Sequence, residues 1–186
     1  TTYFQPMATG YFKVYGSETG HFWCCTGSGM ENFTKLGDSI YYKKDNMLVI
    51  SQYISSVLTW SDKNLTLTQN SDIPDSDKAE FEVKAIKDGS IDAEIAFRIP
   101  DWAAEDVVIK VNGEKADTDC KSGYLILKNL KDGDKITVTI PMQIKAYNLA
   151  DNENCYAFKY GPIVLSAELG SKDMTTTTTG VNVTVP

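Results

Sequence analysis

Histidine is almost absent from this chain. His21 is the single one among 186 residues, which excludes a metal site built from several imidazoles of this chain alone. Cysteine is sparse as well. The four present, Cys24, Cys25, Cys120 and Cys155, do not make a disulfide-stapled scaffold; Cys120 and Cys155 read as ordinary half-buried residues. No apolar run reaches the roughly 18 residues of a membrane-crossing helix. Basic residues are outnumbered, 18 to 25, and the formal net charge of −7 argues against nucleic acid and anionic membrane as partners. There is no internal repeat. The opening Thr1-Thr2-Tyr3-Phe4-Gln5-Pro6 is neither a signal peptide nor an initiator region, and it reads as cut from a longer protein.

What is present is an ordinary globular composition, 42% hydrophobic, and one unusual segment. His21-Phe22-Trp23-Cys24-Cys25-Thr26-Gly27-Ser28-Gly29-Met30-Glu31-Asn32 places two adjacent thiols between an aromatic pair and a Gly-rich turn. Thiolates are nucleophiles and soft metal ligands. The stretch from Gly27 to Tyr42 is the single plausible helix, with Met30, Phe33, Leu36, Gly37 and Ile40 on one face at spacings of three and four. Ser28 with Glu31 makes a capping-box pattern. The cysteine pair then stands just before a helix N-terminus, whose partial positive charge favours thiolate.

From Asn46 onward the period changes to two. Leu48 and Ile50, Leu65 and Leu67, Phe81 and Val83, Ile95 and Phe97, Val107 to Val111, Tyr124 to Leu127, and Ile136 to Ile140 each alternate with outward residues. Turn signals recur between them at Lys87-Asp88-Gly89-Ser90, Asn112-Gly113 and Asp132-Gly133. The expectation is a mainly β protein: an antiparallel β-sandwich over 46–141 and extra strands with a Thr-rich tail over 142–186. The added strands include Cys155-Tyr156-Ala157-Phe158-Lys159 and Ile163-Val164-Leu165. Residues 1–45 are a loop-rich stretch, with a short strand at Tyr11 to Tyr15, and the one helix. A further strand is expected at Val181 to Val185.

The Phe22-to-Asn32 segment, followed by Ile40-Tyr41, resembles the cysteine motif of β-L-arabinofuranosidases, glycoside hydrolase family 127 and its relative family 146. Four further segments resemble that family's β-sandwich landmarks in the same order: Arg98-Ile99-Pro100-Asp101-Trp102, Val111-Asn112-Gly113, Asp132-Gly133-Asp134, and Tyr160-Gly161-Pro162-Ile163-Val164-Leu165. The likeness runs from residue 3 to about 168. It implies a zinc-dependent retaining exo-glycosidase, of bacterial cytoplasm or periplasm, acting on a plant-type arabinose-containing glycan. Cys24 matches the nucleophile, which is also zinc-bound in the family, and Cys25 matches a zinc ligand.

The same resemblance implies that the remaining zinc ligands and the glutamate acid/base lie upstream, in an (α/α)6 barrel of which this chain holds only the last loop and helix. Two adjacent cysteines cannot complete a tetrahedral zinc site. The isolated chain is therefore expected to be inactive and to carry no zinc. The alternative is a non-catalytic carbohydrate-binding or structural β-sandwich module, with the cysteines as buried structural thiols or a vicinal disulfide.

Other residues carry two readings each. His21 and Trp23 contact a sugar, or they belong to an exposed loop and to packing. Glu31 is a catalytic carboxylate or a helix-capping residue. Trp60, Trp102 and Tyr124 form an aromatic platform or pack in the core. Arg98 and Asp101 read as a local ion pair, and Asp72 to Asp77 as a solvated turn lacking the glycine and glutamate of a calcium loop. The helix face of Met30, Phe33, Leu36 and Ile40, deprived of a barrel, is a candidate surface for self-association.

Overall fold

The computed structural model describes residues 24–167. The chain divides into two units, residues 1–38 with 167–186 and residues 39–166. In the first, the described part is helix α1, Cys24–Glu31, followed by a 3-10 helix, Asn32–Lys35.

This helical stretch is displaced from the expected Gly27 to Tyr42. The Thr34 hydroxyl donates to the Glu31 carbonyl at 2.7 Å, competing with helical pairing. Gly37 is a poor helix former, and Ser39 stands at a left-handed φ of 65°, which ends any continuation. Ser28 therefore lies inside α1 rather than capping it, and Glu31 is its last residue. Of the expected apolar face, Met30, Phe33 and Leu36 are exposed, whereas Ile40 is buried and belongs to the second unit.

The second unit contains fourteen strands among the described residues. Two sheets form the sandwich. The first is ordered β1 (Tyr41–Lys44), β2 (Met47–Ile50), β6 (Glu94–Arg98), β10 (Tyr124–Leu127), β9 (Asp119–Lys121). The second is ordered β3 (Ser56–Trp60), β4 (Leu65–Ser71), β5 (Lys78–Ala85), β11 (Lys135–Thr139), β7 (Val108–Val111), β8 (Glu114–Lys115). All pairings are antiparallel except β2 with β6, which run parallel.

Register explains the core. Leu48 stands opposite Ile95, and Ile50 opposite Phe97, on the first sheet. On the second, Leu67 faces Val83, and Phe81 sits between Gln69 and Ile136. These residues are buried, as the period of two requires. Tyr53, Phe81 and Phe97 stack edge to face, with ring centroids 6.4 and 5.1 Å apart, a geometry that suits aromatic quadrupoles. Fully buried Gln69 donates to the carbonyls of Gln52 and Ile54 and so pins the connection between β2 and β3.

A third sheet follows in the chain: β12 (Ile144–Leu149), β13 (Asn152–Tyr160), β14 (Ile163–Val164). It is joined to the sandwich at one end. Lys145 Nζ donates to the Ala103 carbonyl at 3.3 Å, and the Ala104 amide donates to the Pro141 carbonyl at 2.8 Å. Gly161, buried at φ 54°, lies so close to Met142 and Trp102 that a Cβ there would collide with the Met142 thioether.

Candidate functional site

The backbone of Cys24 and Cys25 forms the first two residues of α1. The pair thus stands within the helix's first turn, not ahead of it as the capping-box pattern predicts. First-turn amides have no intrahelical acceptors, and the macrodipole favours negative charge there. His21 and Trp23 lie outside the described residues, as do the strand expected at Tyr11 to Tyr15 and that at Val181 to Val185. Glu31 falls at the opposite end of α1 from the cysteines, so the first-turn capping role expected for it does not apply.

No group of three or more His, Cys, Asp or Glu that could hold a metal ion occurs among the described residues. The Asp72 to Asp77 segment is a closed turn, with the Ser76 amide donating to the Asp72 carbonyl at 3.0 Å. Cys120 and Cys155 are free thiols, and both are exposed rather than half-buried. Cys120 lies on edge strand β9, and Cys155 lies on the third sheet, in β13, where it is exposed among the described residues.

The aromatic residues singled out in sequence pack rather than form a platform. Trp60 is buried opposite Leu65. Trp102 is half-buried against the Gly161 turn and the core. Tyr124 is half-buried on β10, opposite Arg98. No ion pair joins Arg98 to Asp101 among the described residues; the Arg98 guanidinium instead donates to the Ser51 carbonyl at 3.4 Å. The Arg98 carbonyl accepts from the Tyr53 hydroxyl at 2.6 Å. Burial holds the Tyr53 phenol well above the ordinary tyrosine range, against the opposing pull of the Arg98 charge.

The four sandwich landmarks meet in space as two joints. Asn112, at φ 51°, and Gly113, at φ 90°, form the two-residue turn between β7 and β8, as a primed hairpin turn requires. Asn112 Nδ2 donates to Asp134 Oδ1 at 2.9 Å, and the Lys135 amide returns a bond to Asn112 Oδ1 at 3.0 Å. The Asn-Gly turn and the Asp-Gly-Asp turn are therefore one hydrogen-bonded unit. In the other joint, Trp102 of the Arg-Ile-Pro-Asp-Trp segment packs at the Gly161 turn of the Tyr-Gly-Pro segment.

The profile of the family described as "Beta-L-arabinofuranosidase, GH127 middle domain" matches residues 47–142, more than half of the chain. The chain belongs to the GH127 β-L-arabinofuranosidase family. Its matched span holds every strand of the two-sheet sandwich except β1; the cysteine pair precedes it and the third sheet follows it. Among solved structures, a GH127 β-L-arabinofuranosidase from Geobacillus stearothermophilus T6 superposes with a TM-score of 0.65 at 21% identity, over 76% of this chain and 23% of that one. The GH127 β-arabinofuranosidase BT3674 gives 0.65 at 22% identity, over 76% and 25%. A structure described as a glycoside hydrolase gives 0.67 at 20%, over 86% and 28%. These likenesses show the same fold. The GH127 chain described here spans about a quarter of the length of the solved structures it matches. A comparison with curated proteins finds no match.

One exposed surface lies apart from the residues expected in the site, the row Tyr156, Phe158, Tyr160 on β13. Its signal is the strict alternation with Cys155, Ala157 and Lys159.

Proposed function

We propose that this chain is the C-terminal part of a retaining exo-glycosidase of the β-L-arabinofuranosidase type, with Cys24 as its nucleophile. The observation that carries the reading is a vicinal cysteine pair in the first turn of a helix, N-terminal in sequence to a GH127 middle domain that starts at residue 47. The helix terminus favours the thiolate that such chemistry needs.

In the proposed reaction the Cys24 sulfur attacks the anomeric carbon of a terminal arabinofuranose. The glycosidic C–O bond breaks, and the aglycone oxygen takes a proton from a general acid. Water, deprotonated by the same group, then displaces the sulfur. That step returns the thiolate and releases the sugar with net retention. The acid/base comes from a part of the parent protein other than this chain, and the sandwich braces it. The substrate is an arabinose-containing glycan.

Zinc is the metal the family resemblance implies. Cys24 and Cys25 have the right ligand chemistry, but a structural or catalytic zinc takes at least three protein ligands, and the described residues offer no such cluster. The described residues do not complete the site. The isolated chain is expected to be inactive and to bind zinc far below one equivalent; a stoichiometry near one on the purified chain, read by elemental analysis, would contradict this.

The deciding experiment is hydrolysis of an aryl β-L-arabinofuranoside by the full-length parent, with and without Cys24→Ala. Removing a covalent nucleophile should lower kcat by at least about a thousandfold, with the circular dichroism spectrum unchanged. Retained activity in the variant would remove Cys24 from the mechanism.

A further inference from the structure

The β7–β8 turn carries a reactive dipeptide. Asparagine followed by glycine is the pair most prone to cyclise, because no side chain shields the amide nitrogen that attacks. Asn112-Gly113 is the one such pair in the sequence. Asn112 is exposed, so burial does not keep water from it. The reaction needs the Gly113 nitrogen against Asn112 Cγ. In the primed turn, with Asn112 at φ 51° and Gly113 at φ 90°, the Asn112 backbone directs that nitrogen away from its own side chain.

Three hydrogen bonds hold Asn112 in this state, all to two consecutive residues, Asp134 and Lys135. Its amide donates to the Lys135 carbonyl at 2.8 Å. Its Nδ2 donates to Asp134 Oδ1 at 2.9 Å, and its Oδ1 accepts from the Lys135 amide at 3.0 Å. The Asp134 carboxylate is itself fixed: the residue is 8% exposed, and Oδ2 accepts from the Lys131 amide at 2.8 Å. The hairpin has little else to keep it closed. Strand β8 is two exposed residues at the edge of its sheet. It pairs through Lys110 with Lys115 and Val111 with Glu114, and the Ala116 amide donates to the Ile109 carbonyl at 2.9 Å. So short an edge strand opens locally at small cost.

We propose that Asn112 is a deamidation site gated by this clamp: it reacts when the hairpin leaves Asp134 and Lys135, and its product prevents reclosure. In the open hairpin the Gly113 nitrogen bonds to Asn112 Cγ. The Cγ–Nδ2 bond breaks, and Nδ2 departs as ammonia with the proton that Gly113 gives up. Water then opens the succinimide ring at either carbonyl, leaving aspartate or isoaspartate at position 112. Each product has a carboxylate where the amide stood. It cannot donate to Asp134 Oδ1, and two anionic oxygens at hydrogen-bond distance in a nearly buried place repel. Asp-Gly serves a primed turn as well as Asn-Gly does, so the charge, not the turn, is what breaks the joint. A reversible local opening becomes permanent and detaches the β7–β8 hairpin from the connection between β10 and β11.

This proposal does not depend on the role of Cys24. The test is peptide mapping by mass spectrometry of the 186-residue chain in mildly alkaline buffer, with a peptide spanning residues 110–115 as the unclamped reference. The chain should deamidate at Asn112 at least about a hundredfold more slowly than the peptide. Asp134→Ala, with an unchanged circular dichroism spectrum, should speed the reaction in the chain about tenfold. Equal rates in chain and peptide would overturn the gate, as would a folded Asp134→Ala chain that reacts no faster. Where Asp134→Ala does not fold, hydrogen exchange at the Lys135 amide decides. Asn112→Asp, the product itself, should quicken that exchange about tenfold, and Asn112→Asp with Asp134→Asn, which reverses the pair, should restore it. An unchanged rate in the single variant, or no recovery in the double one, would show that the carboxylate pair does not hold the joint open.

Discussion

Phe97 and Phe158 sit in strands of the same periodicity, yet Phe97 is 0% exposed and Phe158 is 49% exposed. Both alternate with outward residues, and both have cross-strand neighbours on their own face. The difference lies in the layer opposite. β6 faces the second sheet of the sandwich, and no described element covers the third sheet. Periodicity assigns residues to a face; burial follows only when a second face meets it.

The largest expected consequence is a contrast in stability. Phe97→Ala should cost about 3–5 kcal/mol in urea unfolding of this chain, because it empties a packed aromatic site. Phe158→Ala should cost under about 0.5 kcal/mol, as an exposed substitution does. Equal costs would mean that the third sheet is covered after all. Next in size is the joint between the two regions. Gly161→Ala combines a left-handed φ with a collision at Met142, at a cost of roughly 1–2 kcal/mol. Limited proteolysis should then cut more readily between 142 and 165 while the sandwich stays resistant; uniform protection would show that the joint tolerates the methyl.

Smallest is an alkaline effect confined to the sandwich. The folded state raises the Tyr53 pKa, so its neutral phenol is worth keeping buried. That contribution is complete below the ordinary tyrosine pKa of about 10 and is lost as pH rises above it, because the unfolded chain ionises first. Tyr53→Phe should lower stability at pH 8 by about 1 kcal/mol, the value of the bond to Arg98, and should flatten the fall above pH 10. An unchanged alkaline slope would place its origin elsewhere, and Tyr41, raised by its own burial, is the next residue to test.

The same contrast explains what the sequence disclosed. The strands at Leu48, Leu65, Phe81, Ile95 and Ile136 were legible because each is half-buried, and burial writes alternation into sequence. The expected helix overran into Tyr41 and Tyr42, the first half of β1, because Phe33, Leu36 and Ile40 fall by chance at helical spacing; the left-handed turn at Ser39 carries no comparable signal. β3 was missed because Ser56-Val57-Leu58-Thr59-Trp60 places Val57 outward. The expected site residues rest on family resemblance alone, since the matched sandwich contains none of them. Two of its landmark turns proved to be bonded to each other, which spacing along the chain does not reveal.

The parallel pairing of β2 with β6 has a kinetic consequence. The β1–β2 hairpin is local, but among the described residues its one attachment to the rest of its sheet is to Glu94–Arg98, and strands 3, 4 and 5 of the opposite sheet lie between in sequence. Closing that loop is entropically costly and slow relative to hairpin formation. The edge of the sheet nearest the cysteine segment in sequence therefore completes only after much of the later chain has folded, and during synthesis a thiol-bearing segment emerges well before the sheet into which its chain continues.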